Sequence, residues 1–277
     1  MKILFINHFR SPDYQNDVIY HGLIESGFEV YETANPAYML KSYPNPTSLY
    51  GKGFSIFAKL EHTPNIEAKD TVLEKVRDRF YDLVIFGSIH RDQSHLEEVL
   101  KVYKRNEIYF IDGEDSTACL EHLFPLGVYF KRERVNTQTK AISFAIPETQ
   151  LITTPTVKDK YFGTVIPGQQ NTYIFNTEAE YYADYARSYY GETSKKAGWD
   201  CMRHYEILAN RCIPYFTDLH ECPMQTLETF PKDIILETNH YARQKLLHPN
   251  YEELSDELFR YTKNYLTTKK LIATILC

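Results

Sequence analysis

The sequence predicts an α/β protein of two doubly wound, Rossmann-like domains facing a cleft, with a C-terminal helix crossing back onto the first domain. Three observations carry this. Short apolar runs such as Leu83-Val84-Ile85-Phe86 and Ile108-Tyr109-Phe110-Ile111 have the character of strands buried on both faces of a parallel sheet. Those runs alternate with segments of helical periodicity, the pattern of a layered α/β fold. The chain has 277 residues, 43% of them hydrophobic, which suffices for two cores.

The elements follow in order. Lys2 to Asn7 reads as the first strand, Val18 to Ser26 as a helix closed by Gly27, and Phe28 to Tyr31 as the second strand. Residues 35–65 carry Pro36, Pro44, Pro46 and Pro64 and read as a long excursion over the strand ends, a candidate lid. Ala68 to Arg79 and Ser94 to Tyr103 read as helices around the Leu83–Phe86 strand. Ile108 to Ile111 follows as an inner strand, and Val128 to Lys131 as a short edge strand. A polar stretch near Asn136–Lys140 and the run Ile142–Pro147 mark the crossing between domains, here 1–142 and 143–277. In the second domain, Lys160 to Ile166 opens a new set and Pro167-Gly168 turns. A Tyr-rich polar region leads to a helix and a short inner strand, Ile213-Pro214-Tyr215-Phe216. Ile234-Ile235-Leu236 reads as a strand after the Phe230-Pro231-Lys232 turn, and Tyr251 to Ile275 as one long helix.

Composition narrows the function. A net charge of −6 argues against a broad nucleic-acid footprint, which needs clustered Lys and Arg. No run approaches the ~20 apolar residues of a membrane span, and Met1-Lys2 leads straight into a strand, so a cytoplasmic protein is expected. Five cysteines without a CxxC pair read as reduced thiols. Cys212, His220 and Cys222 lack paired zinc-ligand spacing. A GxGxxG fingerprint and a GxSxG elbow are both absent.

Ligands of open parallel sheets bind beyond the carboxyl ends of the strands. That rule selects three loops: Asn7, His8, Arg10, Asp13 and Asp17; Gly87, Ser88, His90 and Arg91; and Asp112, Gly113, Glu114 and Asp115. The most informative stretch is Lys195–Asp218. Gly198 permits a tight backbone, Lys195 and Lys196 bring positive charge to a helix N-terminus, and Asp200 is placed to cap that helix. Arg203 and Glu206 share one helix face, a spacing that also suits a simple surface ion pair. Of 23 tyrosines, Tyr181, Tyr182, Tyr185, Tyr189 and Tyr190 just precede this segment. Aromatic faces with hydroxyl rims suit sugars, though half-buried packing explains any single one as well.

This segment resembles the donor-binding region of GT-B glycosyltransferases, most of all the CgeB/exostosin-like branch. The resemblance rests on Arg203, Tyr205-Glu206-Ile207-Leu208-Ala209, Cys212-Ile213-Pro214 and Asp218, and covers about a tenth of the chain. Arg211 stands where the family usually has Gly. The resemblance implies a transferase moving a sugar from a nucleoside-diphosphate donor to a hydroxyl of a glycan, lipid-linked or protein acceptor. Residues 1–142 would face the acceptor and 143–277 the donor. It further implies a donor site at Lys195, Arg203, Tyr205 and Glu206, with the cations on the diphosphate and Glu206 on ribose or sugar hydroxyls. The base would be His90, Glu114 or Asp115, and no metal or other cofactor is needed. Asp112-Gly113-Glu114 is not the Asp-x-Asp of metal-dependent transferases. Two other readings stay open: a non-catalytic nucleotide-sugar or glycan-binding module, including a degenerate domain of a larger transferase, and a nucleic-acid sugar modifier of viral type.

Overall fold

The computed structural model describes residues 1–7, 12–44 and 56–277. His8, Arg10 and the middle of the 35–65 excursion lie outside these residues. The first half builds β1 (Lys2–Ile6), α1 (Tyr14–Glu25), β2 (Glu29–Glu32), α2 (Lys69–Arg77), β3 (Leu83–Phe86), α3 (Leu96–Val102), β4 (Ile108–Asp112), β5 (Val128–Lys131) and β6 (Lys140–Ala141). Among the described residues its six strands are all parallel, in the order β2-β1-β3-β4-β5-β6. The order reverses between β1 and β3, and such a switch point opens a crevice at the carboxyl ends of the strands.

Alternation along the strands explains how helices cover both faces. Ile3, Phe5 and Ile85 pack with Val18, Ile19 and Leu23 of α1, while Leu4, Ile6, Val84 and Phe86 pack with Val72 and Val76 of α2 and Val99 of α3. Among the described part of the 35–65 excursion, Tyr38, Met39, Ile56, Phe57 and Leu60 are buried in the first of these clusters. β5 is an interior strand and not the edge, because β6 adds two residues beyond it.

The second half builds β7 (Lys160–Phe162), α4 (Glu178–Arg187), β8 (Ser188–Thr193), α5 (Met202–Ala209), β9 (Ile213–Phe216), α6 (Lys232–Arg243), α7 (Tyr251–Tyr265) and α8 (Thr268–Ile275). Three parallel strands run in the order β7-β8-β9. β9 is therefore an edge strand rather than an inner one, which suits Pro214, a residue with no N–H to donate. The edge is covered: Asn239 of α6 accepts from Phe216 N at 3.0 Å and donates to Phe216 O at 2.7 Å. One apolar core runs through both sheets, from Ile3 and Phe5 to Tyr190, Ile213 and Phe216. Among the described residues no helix is long and apolar enough to cross a membrane.

Two further expectations need correction. Ile234-Ile235-Leu236 lies inside α6, not in a strand. Only Ile235 is fully buried while Leu236 is exposed, so the three residues follow a helical face rather than a sandwiched strand. The stretch 251–275 is two helices. Its backbone is taken at the break by the crossing segment: Ile146 N donates to Leu266 O at 3.0 Å and Thr268 N donates to Ile146 O at 3.0 Å. Thr267 is extended there, and α8 turns back to pack on α1. The two helices meet closely at Gly22, where an added Cβ would lie 2.4 Å from the Thr268 carbonyl oxygen. His21 of α1 pairs its Nδ1 with Thr268 Oγ1 at 3.0 Å, and burial pulls its pKa down to about 3, so it is neutral.

At the end of α5 the chain reverses through a Schellman turn. Arg211 N donates to Leu208 O and Cys212 N to Ile207 O, with Arg211 left-handed at φ 53°. The side chain offsets that conformation by pairing with Asp256 and lying over the Phe259 ring, 4.3 Å from its centroid.

Gly22→Ala should lower stability by about 1–3 kcal/mol, because the obstacle is backbone, and a urea melt would read it. Arg211→Ala should be less stable than Arg211→Gly by about 1 kcal/mol, since alanine keeps the left-handed cost and loses both contacts. Equal midpoints for the two Arg211 variants would refute that account.

Candidate functional site

The loop from β8 to α5, residues 194–201, meets the carboxyl ends of the large sheet. Between them lies a cavity of about 340 Å³, lined by Tyr14, Asp115 and Phe144 from one side and by Lys196, Arg203 and Glu206 from the other. Tyr14 is the first residue of α1, and its ring meets Phe144 edge-on at 6.2 Å.

Arg203 sits on the first turn of α5 and is only 6% exposed. Its Nη2 donates to the Tyr173 hydroxyl at 2.9 Å, while Nε and Nη1 are buried and have no hydrogen-bond partner among the described residues. Unpaired buried donors of a charged group cost several kcal/mol, so they point to a missing acceptor. Glu206, one turn later, is fully buried and accepts from Tyr181 at 3.0 Å and Tyr182 at 3.4 Å. The two residues are not a surface ion pair; both belong to the cavity wall.

Asp200 does not cap α5. Cys201 holds that position without a side-chain cap bond. The Asp200 carboxylate instead accepts from Phe144 N at 2.7 Å and from the Tyr205 hydroxyl at 3.0 Å. It thereby ties the interdomain crossing to the helix, and Tyr205 is fully buried behind it rather than facing the cavity. Burial raises the Asp200 pKa from its ordinary 3.8 to about 6, with Arg132 pulling the other way.

Arg132 and Glu133 follow β5 and are both buried. Glu133 accepts from Trp199 N at 3.0 Å and Asp200 N at 3.1 Å; Arg132 donates to Asp200 O at 2.7 Å and to Gly113 O at 2.9 Å. Arg132 also pairs with Asp115. Gly198 fits against this group only because it lacks a side chain: an added Cβ would lie 2.7 Å from both Asp115 Oδ1 and Glu133 Oε1. His204 fixes the loop from below, with Nε2 2.9 Å from Trp199 O and Nδ1 3.0 Å from Thr193 Oγ1. A carbonyl only accepts, so Nε2 carries the proton, and burial lowers this histidine to about 3.

The predicted residues separate into two groups. Arg203, Glu206 and Asp115 share the cavity wall. His90 does not line that cavity; its Nε2 lies 3.0 Å from Asp112 Oδ2, in a cluster where Lys131 and Tyr129 also donate to Asp112. Glu114 pairs with Arg91 at 3.4 Å. Lys195 places its ammonium over the Trp199 ring, 5.0 Å from the centroid, and Lys196 is the lysine at the cavity. Sequence reasoning missed Tyr14, Arg132, Glu133, Phe144 and His204. Arg132-Glu133 directly follow the Val128–Lys131 strand, and no motif singles them out.

No protein-family model matches the chain, and no curated protein matches it. Among solved structures, the chain is similar to an alpha-glucosyltransferase in complex with UDP and a 13-mer DNA containing a HMU base. That match has 11% identity over 99% of this chain and 98% of the other, at a TM-score of 0.53. It is also similar to AviGT4, a glycosyltransferase involved in avilamycin A biosynthesis, with 11% identity, coverage of 99% and 96%, and a TM-score of 0.49. At such identity the first likeness is one of fold, and the fold is the GT-B one.

The raised Asp200 pKa has a measurable sign. The folded protein keeps a proton there that the unfolded chain loses between about pH 4 and 6. Its contribution to stability is therefore full below about pH 4 and gone above about pH 6. Asp200→Asn should gain on wild type by on the order of 3 kcal/mol in going from pH 4 to pH 7, read by urea melts at each pH. Parallel pH profiles would mean that Asp200 titrates as a free carboxyl.

Proposed function

We propose that the protein is a glycosyltransferase that takes a sugar from a nucleoside-diphosphate donor and places it on a hydroxyl of a glycan, lipid-linked or protein acceptor. The observation that carries this is Arg203, a buried guanidinium with two nitrogens unpaired among the described residues, at a cavity wall that it shares with Glu206. An anion with several acceptor oxygens satisfies such a group, and a diphosphate is one. The GT-B fold supports the same reading. The motif residues around Arg203 resemble those of the CgeB/exostosin-like branch, with Arg211 as a departure, and to that branch we assign the chain.

In this reading residues 143–277 hold the donor and 1–142 face the acceptor. Arg203 and Lys196 neutralise the charge that grows on the departing diphosphate, a task for preorganised cations that needs no metal. Glu206 accepts from ribose or sugar hydroxyls. Tyr205 acts from behind through Asp200, and Lys195 through its stack on Trp199. Asp115 is the base best placed by its position at the cavity, ahead of Glu114 and of His90, which Asp112 orients from outside it. A non-catalytic binding module is the second reading, and it is favoured by one observation: Asp115 is already paired with Arg132. Release of nucleoside diphosphate in the presence of acceptor separates the two.

A thermal-shift panel of the uridine, guanosine, cytidine, thymidine and adenosine diphosphates and their sugars, with and without Mg²⁺, tests the donor class. One of them at ~100 times its Kd should add ~2.7 kcal/mol to the folded state without needing the metal. Arg203→Ala and Glu206→Ala should each weaken that ligand by at least roughly tenfold, about 1.4 kcal/mol, while far-UV circular dichroism stays native. Unchanged affinity in both variants would place the donor elsewhere.

A further inference from the structure

We propose that Arg132 and Glu133 are positioning residues for the cavity. From the end of the large sheet they hold the 194–201 loop of the small one, so the site is assembled across both halves of the chain. The inference rests on the nucleotide-sugar reading of the cavity for its ligand, while the clamp itself is argued from geometry alone.

Both side chains are 2% exposed, and their partners lie 66 to 68 residues away in sequence. Glu133 receives three donors: Trp199 N, Asp200 N and Arg132 Nη1 at 3.1 Å. Arg132 lies over Phe144, 4.5 Å from the ring centroid, and grips Gly113 O and Asp200 O. Burying a pair of charges gains little stability over well-packed apolar residues, because desolvation offsets the attraction. Such a pair does fix geometry, since every donor must meet its acceptor. What it fixes here is the backbone just ahead of α5, the stretch that carries Lys196 and leads into Arg203. Without Glu133 the N–H groups of Trp199 and Asp200 lose their acceptor, and the loop is left to the tethers from Arg132, His204 and the Asp200 carboxylate.

Trp199 is the chain's sole tryptophan and is 9% exposed, so its emission reports this loop directly. The experiment compares wild type, Glu133→Gln and Gly22→Ala, the last as a control that lowers stability far from the clamp. Emission is recorded without ligand, and UDP is then titrated, followed by the other four nucleoside diphosphates. Expected for Glu133→Gln is a red shift of Trp199 in a folded protein and a Kd weakened by roughly tenfold, with neither change in Gly22→Ala. Native emission together with native affinity in Glu133→Gln overturns the proposal. If wild type binds none of the five nucleotides, the donor reading fails, and the emission of the unliganded proteins still decides the clamp: a red shift supports it and none refutes it. Should Glu133→Gln not fold, Arg132→Lys is measured the same way, because lysine cannot reproduce the fork to Gly113 and Asp200.

Discussion

Two backbone N–H groups, those of Trp199 and Asp200, end on one carboxylate, and the shape of the site depends on that fact. Glu133 is supplied by a strand end of the large sheet, and the groups it binds belong to the loop that feeds α5. Around this junction the other contacts arrange themselves in series. Arg132 neutralises Glu133 and reaches Gly113, Asp200 fastens the crossing segment at Phe144, and Tyr205 fastens Asp200. Each polar group in the chain of contacts answers another, which is the condition under which buried charge is tolerated. At the cavity Arg203 keeps two buried nitrogens without a partner among the described residues, and that contrast gives the site its chemical direction.

The histidines show a related economy. His21 and His204 are both buried and held neutral, one between α1 and α8, the other under the Trp199 loop. Neither is available as an acid or base near neutrality; both serve as uncharged bridges between elements. Asp200 titrates in the opposite sense, so the fold's response to acid includes both two histidines that resist protonation and a carboxylate that welcomes it.

Much of the fold was legible because buried parallel strands have an unmistakable composition. The run Leu83–Phe86 matches β3 residue for residue, and Ile108–Ile111 misses only Asp112 of β4. The failures have physical causes. Ile234–Leu236 has strand composition, but only one of its three residues is fully buried, and burial is a tertiary fact. The break between α7 and α8 carries no proline or glycine; it is imposed by Ile146, some 120 positions earlier, whose backbone takes the hydrogen bonds. In the candidate site, Arg203 and Glu206 were readable because a motif surrounds them. Arg132 and Glu133 were not, because a charged pair after a strand looks the same whether it meets solvent or another loop. Asp200 was assigned the local role its position suggests, and a longer-range demand from Phe144 overrode it.

The chain passes between its two halves twice, once near Ile146 and once at Leu266–Thr267, and the two passages are bonded to each other as a short parallel pair. A single connecting strand would leave the halves free to swivel. Two bonded side by side form a strap that resists such rotation. The strap thereby joins the halves through backbone alone, independently of the side-chain contacts that meet at the cavity.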